Sequence, residues 1–361
     1  MAALILGLGY LGAALAANLL RRSQPVVGLD NGFATDWLAL ERLAVSAGDR
    51  FRLLKGDVRD TADLDTAFDA ARPIDAVYLL AAQASAHPEA APAEYTEETN
   101  LRGTRLVFEA ALRHRSPPLV YGSSFHIYGG GLAGEIDEGR PYGVLRDLSH
   151  LSKVYAEKLG ELYAATRGLS VTPVRLGIVY GLGPVVKRDL RFVTVPHAFC
   201  LRALAGQPLR IHPSGMAPLA FVHLDDAVVA LRLAAEPRGY APANAAAEVA
   251  TALEVARLVQ AAAWSSGRDA IVQTHAPDSP ALGQEAAAPP APLPSPRVGE
   301  ASEGAERRGP APGGVRGHPF IPTSRLSVEG WRPQRRLAET VPAIFDYYAS
   351  RGAPTGPPSD G

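Results

Sequence analysis

A glycine-patterned turn near the N-terminus limits this chain more than any other feature. Gly7-Leu8-Gly9-Tyr10-Leu11-Gly12 fits G-x-G-x-x-G and stands between a short apolar run, residues 2–6, and a segment, residues 11–22, whose apolar positions recur at helical intervals. In a strand-turn-helix unit of this kind the first glycine permits the tight turn, the second lets backbone approach a pyrophosphate, and the third lets helix and strand pack closely. Phosphates would then sit on the positive end of the helix. The glycines also interrupt the N-terminal apolar run, and no basic residue precedes it, so it reads as part of the fold rather than as a signal peptide.

The alternation continues. Further apolar runs at 25–29, 51–54, 76–80, 119–122 and 171–176 are separated by helix-period segments at 36–47, 61–71, 95–115 and 149–167. Six strands and five helices in this order predict an α/β fold, a Rossmann-type doubly wound parallel sheet over residues 1–180 with return segments. Asp30 closes the second strand, 18 residues past Gly12. A carboxylate there accepts from both ribose hydroxyls and repels a 2′-phosphate, which favours NAD over NADP.

Beyond residue 180 the pattern loosens, with expected helices at 195–205, 225–235, 252–263 and 338–349 and a strand at 209–212. Residues 181–275 and 318–350 read as a smaller C-terminal substrate lobe closing over the ligand edge of the sheet. Between them, 16 of the 42 residues in 276–317 are Pro or Gly, and Ile, Phe, Trp, Tyr and Met are absent. Such a composition cannot offset its ordering entropy by burial, so a disordered insertion is expected there, and a disordered tail at 351–361. A formal charge of −1 gives no bulk footprint for nucleic acid, and one cysteine, Cys200, excludes an intramolecular disulfide. No run reaches the ~20 apolar residues that span a bilayer, which together with the single thiol suggests a soluble, cytoplasmic protein. The nine histidines are scattered, and His223 with Asp225 and Asp226 reads as a helix start, so no metal site is expected.

The landmarks Gly28-Leu29-Asp30-Asn31, Lys55-Gly56-Asp57-Val58, Leu80-Ala81-Ala82-Gln83, Asn100, Ser123-Ser124 with Tyr128-Gly129, Lys153 and Val179-Tyr180-Gly181 follow one another in order. With them the chain resembles the extended short-chain dehydrogenases/reductases of the NAD-dependent epimerase/dehydratase family, over residues 1–263 and 320–350. The resemblance implies that the turn of Gly7, Gly9, Tyr10, Leu11 and Gly12 carries the pyrophosphate, and that Asp30 and Asn31 face the adenosine ribose. It further implies that Asp57 and Val58 flank the adenine, that Leu80, Ala81, Ala82 and Gln83 line the nicotinamide side with Asn100, and that Lys153 holds the nicotinamide ribose. One departure is Leu6, where the family's usual first glycine stands.

In the family a hydroxyl at the position of Ser124 bonds the reacting substrate hydroxyl. The family's base is the tyrosine of Tyr-x-x-x-Lys, whose pKa the lysine and the oxidised nicotinamide lower from ~10. Aligning Lys153 puts Ser149 in that position, and an alkyl hydroxyl is too weak an acid to replace it. His126 is the favoured substitute, two residues past Ser124 and with an ordinary pKa of ~6.5. Tyr142 remains open as an alternative, whereas His150 is expected to point off along the helix.

Two further departures touch the substrate. Ile178 replaces the asparagine usual in sugar-nucleotide enzymes, and Leu219 replaces an arginine that would fork onto the diphosphate. Lys187, Arg188, Arg191 and Arg210 could supply charge from elsewhere in the lobe. The resemblance implies an NAD-dependent sugar or nucleotide-sugar epimerase/dehydratase-type oxidoreductase, working by transient hydride transfer. The alternatives are a catalytically degenerate NAD-binding sensor or scaffold, or a simple dehydrogenase/reductase on a small carbonyl compound. It also implies a homodimer packed through the helices at 95–115 and 149–167.

Overall fold

The computed structural model describes residues 1–85, 90–186, 191–274 and 319–351. The expected insertion at 276–317 and Lys187 and Arg188 lie outside the described residues, as does the expected tail beyond Arg351. The first half builds β1 (Ala2–Leu6), α1 (Tyr10–Arg21), β2 (Val26–Asp30), α2 (Trp37–Ala47), β3 (Phe51–Lys55), α3 (Thr61–Ala70) and β4 (Ile74–Leu79). Local chemistry sets the helix starts: Asp36 accepts from Ala39 N at 3.0 Å, and Asp60 from Ala62 N at 2.7 Å, each satisfying an amide that the first turn leaves without a partner.

Where one helix was expected at 95–115, the chain forms α4 (Ala93–Glu97), a π-helical stretch (Glu98–Gly103) and α5 (Thr104–Arg113). At the widened turn the Thr104 hydroxyl donates to the Asn100 carbonyl at 2.7 Å, while the Asn100 amide is drawn onto the backbone of Gln83, 17 residues away. After it come β5 (Leu119–Ser124), β6 (Gly134–Ile136), α6 (Leu148–Arg167) and β7 (Val171–Leu176). Asp147 caps α6, and Gly168, at φ +70°, ends it in the left-handed conformation that glycine adopts without cost.

The remainder is β8 (Ile178–Tyr180), α7 (Val195–Leu204), β9 (Leu209–Ile211), β10 (Leu219–His223), α8 (Leu224–Leu233), β11 (Ala243–Ala245), β12 (Glu248–Ala250), α9 (Ala252–Ser265), β13 (Val272–Thr274), β14 (Phe320–Pro322) and α10 (Leu337–Ser350). The main sheet has seven strands, not six, in the order β11-β7-β5-β4-β1-β2-β3, with every pairing parallel. Order reverses between β1 and β4, the switch point at whose carboxyl edge doubly wound sheets bind ligands. The seventh strand comes from the 181–275 stretch, so that stretch contributes to the sheet as well as to the lobe.

One face of the sheet packs α1 and α8 with Trp331, whose indole N–H donates to the Asp226 carbonyl at 2.9 Å. The other face packs α3, α5 and α6 through Phe68, Phe108, Val107 and Tyr163. His223 caps α8, its Nδ1 accepting from Asp225 N at 3.1 Å. A separate core of Phe199, Cys200, Val255, Val259, Ile344 and Phe345 holds α7, α9 and α10 together. Residues 319 onward rejoin the body through β14, which pairs with β6 in parallel. Among the described residues no helix is long and apolar enough to cross a membrane.

Candidate active site

A cleft of about 440 Å³ opens along the carboxyl ends of β1, β2, β4 and β5. At its base Gly7 has φ +97°, and a Cβ there would lie 2.3 Å from Ala81 N, so strand ends β1 and β4 touch through a position only glycine fills. Gly12 is closed in the same way, since its Cβ would meet the Gly7 carbonyl oxygen at 2.0 Å. Gly9 differs: the nearest atom to a Cβ would be Thr35 Oγ1 at 3.8 Å, and the residue lines the cleft. Gly9 also caps α1 without a side-chain bond, leaving the first-turn amides of α1 for a ligand. This cradle fits a dinucleotide pyrophosphate.

Asp30 shapes the rim of the cradle. Its carboxylate accepts from Leu8 N at 2.7 Å, Gly32 N at 2.8 Å and Thr35 Oγ1 at 3.3 Å, which leaves about one of its four lone-pair sites for a ribose hydroxyl. Asn31 and Val58 line the cleft nearby. Asp57 does not line it, contrary to expectation. Its carboxylate is taken by Arg59 at 2.7 Å and Asn31 Nδ2 at 2.9 Å; burial alone would raise its pKa, and these bonds outweigh burial to hold it down at about 2.

Leu80, Ala81, Ala82 and Gln83 line the next stretch of the cleft, and Asn100 stands behind them rather than in it. Asn100 Oδ1 accepts from Gln83 N at 2.8 Å, while its Nδ2 donates to Gln83 O at 2.8 Å and to Ser152 Oγ at 2.9 Å, pinning the loop after β4 to α6. Lys153 reaches the cleft from α6 and donates to Gly122 O at 2.8 Å, its ammonium 4.9 Å from the Tyr121 ring. Burial pushes its pKa down to about 8.

Ser124, His126, Ser149 and His150 all line the same end of the cleft as Lys153. Ser149 is buried, its hydroxyl 3.3 Å from Gln83 O. His126 Nδ1 lies 3.3 Å from Ser124 Oγ, and burial, with His150 adding to it, pushes His126 down to about 4. His150 corrects the expectation that it would point away: its ring stacks on His126 with centroids 4.8 Å apart, and Asp147 Oδ2 lies 2.5 Å from its Nδ1. Tyr142 is corrected in the other direction. It does not line the cleft; its hydroxyl donates to Glu157 at 3.0 Å, and burial, with Glu157 beside it, pushes its pKa up to about 12.

Tyr10, expected in the pyrophosphate turn, lines the cleft, and its hydroxyl donates to Gly181 O at 2.6 Å. Phe33, Tyr95 and Phe192 also line the cleft and were not singled out from the sequence. Phe33 stacks on Tyr95 at 4.3 Å and meets Phe192 edge-on at 6.3 Å. Isolated aromatics in loops carry no periodic signal, so only the tertiary fold reveals this wall. Ile178 and Arg191 line the cleft, whereas Leu219 packs against the lobe core and Arg210 is exposed outside it.

With this geometry the chain falls into a known class: it belongs to the NAD-dependent epimerase/dehydratase family, which it matches over residues 3–245. It is 28% identical over 241 residues to mouse short-chain dehydrogenase/reductase family 42E member 1, a match covering 64% of this chain and 57% of that protein. It is also 28% identical over 232 residues to the UDP-N-acetyl-alpha-D-glucosaminuronate decarboxylase of Bacillus cytotoxicus, covering 62% of this chain and 67% of that one. The match thus spans little more than half the length of the mammalian relatives. In fold, it superposes on the Bacillus cereus UDP-glucuronic acid 4-epimerase in complex with UDP-glucuronic acid and NAD with a TM-score of 0.73, at 20% identity, covering 98% of this chain and 100% of that one. The Thermus thermophilus UDP-glucose 4-epimerase complex with NAD gives 0.68 at 23% identity, covering 98% and 100%. NAD is the cofactor of the family, and the glycine cradle with Asp30 fits it.

Proposed function

We propose that this chain is an NAD-dependent epimerase/dehydratase-type oxidoreductase acting on a sugar or nucleotide sugar. The observation that carries it is the continuity of one cleft from the Gly7–Gly12 cradle to a cluster of Ser124, His126, Ser149, His150 and Lys153. Bound NAD supplies a reversible hydride acceptor, so that a carbinol carbon can be oxidised and restored within one site. The protein's part is to orient and to move the proton. Ser124, at the end of β5, offers its hydroxyl to the reacting oxygen; Lys153 holds the cofactor end of the cleft through its position against Gly122; the stacked imidazoles of His126 and His150 beside Ser124 are the groups in reach that can carry the proton.

The missing tyrosine does not remove a proton carrier from the cleft, because histidines stand beside Ser149. A second reading, a simple dehydrogenase/reductase on a small carbonyl compound, draws support from Ile178 on the cleft wall, where a nucleotide sugar would favour a polar partner. Loading the chain with NAD and assaying UDP-glucose, UDP-glucuronic acid and UDP-N-acetylglucosamine for conversion tests the first reading. Tight NAD binding with no conversion would sink it. Leu151, Tyr155 and Leu162 are exposed on α6, which supports a homodimer paired through that helix; a monomer by light scattering at micromolar concentration would refute the pairing.

A further inference from the structure

We infer that His150, held by Asp147, is the acid/base of this cleft and replaces the tyrosine that Ser149 displaces. This deepens the proposed function and rests on it. Asp147 ends the loop before α6 and uses both carboxylate oxygens on one residue: Oδ1 accepts from His150 N at 2.8 Å, and Oδ2 lies 2.5 Å from His150 Nδ1. A carboxylate only accepts, so the Nδ1 proton belongs to this bond and Nε2 keeps its lone pair. The same contact stabilises the imidazolium that forms when Nε2 takes a proton, which is the role a carboxylate plays behind a catalytic histidine.

His126 is the less suited of the stacked pair. Its Nδ1 is engaged with Ser124 Oγ at 3.3 Å, and among the described residues no carboxylate bonds its ring. Burial and the neighbouring His150 push its pKa down to about 4 and keep it neutral. Burial acts to raise the Asp147 pKa, but the bonds from His150 outweigh it and hold the carboxyl below its ordinary value, so it remains ionised beside the ring. His126 therefore positions Ser124 and supports the His150 ring from one face.

The step balances with the groups present. With NAD held along the Gly7–Gly12 turn and Lys153 to supply a reversible hydride acceptor, the carbinol O–H bond would break as an N–H bond forms at His150 Nε2, and the C–H electron pair would leave as hydride to give a ketone. On return the hydride would go back to carbon and the Nε2 proton to oxygen, with no further oxidant or reductant.

The test uses the full chain loaded with NAD, with UDP-glucose and UDP-glucuronic acid as substrates. His150→Gln should lower kcat by about 10²- to 10⁴-fold, with NAD affinity that of the wild type. Asp147→Asn, which preserves the helix cap, should lower kcat at least about tenfold, and His126→Gln less than that. Added imidazoles should rescue His150→Ala in the order of their basicity. A His150→Gln enzyme within about threefold of the wild-type rate overturns the assignment, and so does loss of activity that no imidazole rescues, which marks a structural role. Ring-nitrogen NMR of the wild type gives a readout apart from turnover: a protonated Nδ1 and a bare Nε2 support the assignment, and an Nε2–H form overturns it. If the wild type binds NAD but converts neither sugar, the proposed function fails and this assignment falls with it; if the wild type converts and His150→Gln converts equally, the assignment alone fails.

Discussion

A Cβ on Gly12 would lie 2.0 Å from the Gly7 carbonyl oxygen, so the last glycine of the turn seats α1 directly on the first. Gly12→Ala should therefore disrupt the turn, with loss of NAD binding and a lowered melting temperature. Gly9→Ala should separate the two effects. Its methyl meets nothing nearer than 3.8 Å within the protein yet enters the cleft, so the fold should persist while NAD affinity drops roughly tenfold, about 1.4 kcal/mol. Calorimetric titration with NAD beside thermal melts distinguishes the cases.

Asp30→Ala removes the carboxylate that fixes Leu8 N and Gly32 N and whose remaining acceptor site we propose takes a ribose hydroxyl. NAD affinity should fall at least about tenfold, and the preference for NAD over NADP should narrow, because the repulsion of a 2′-phosphate goes with the charge. Unchanged discrimination in parallel titrations would show that Asp30 does not read the ribose.

Glu157 is fully buried and meets Arg175 at 2.7 Å, with Ser123 and Tyr142 donating to the same carboxylate. Removing one partner strands the other charge in the interior. Glu157→Gln should cost about 3–5 kcal/mol, read as a lower urea midpoint.

His126 and His197 are both pushed down to about 4 from 6.5, chiefly by burial. Between those values the unfolded chain takes up protons that the folded chain refuses, so stability should be full above pH 6.5 and fall as acid is added towards pH 4. The loss for the more enclosed His197 is on the order of 3 kcal/mol, and less for His126, which opens on the cleft. His197→Gln should flatten this part of the pH dependence of urea unfolding.

The main sheet was legible because strands buried on both faces are near-continuous apolar runs, as in residues 2–6 and 76–80. β11 was not, since Ala-Asn-Ala has no such run and becomes a strand only by pairing with β7. The π-helical stretch at Glu98–Gly103 was hidden for a similar reason: the pull comes from Gln83, distant in sequence. At the catalytic end the landmarks located Ser124 and Lys153, but helical spacing alone turned His150 away from Ser149. The cleft meets α6 at its first turn, where neighbouring positions both face the opening and the capping Asp147 holds the ring inward. Tyr142 lies in a loop, and nothing in its spacing indicated the buried Glu157 that captures it.

The most direct test of the proposed function is to mix the NAD-loaded chain with UDP-glucose or UDP-glucuronic acid and follow the reduced-nicotinamide absorbance alongside product. The expected result is a protein-bound signal that rises and decays while an altered sugar accumulates, with no net consumption of cofactor. A stoichiometric, lasting signal would instead mark a simple dehydrogenase, and no signal with no product, despite tight NAD binding, would contradict the epimerase/dehydratase reading outright.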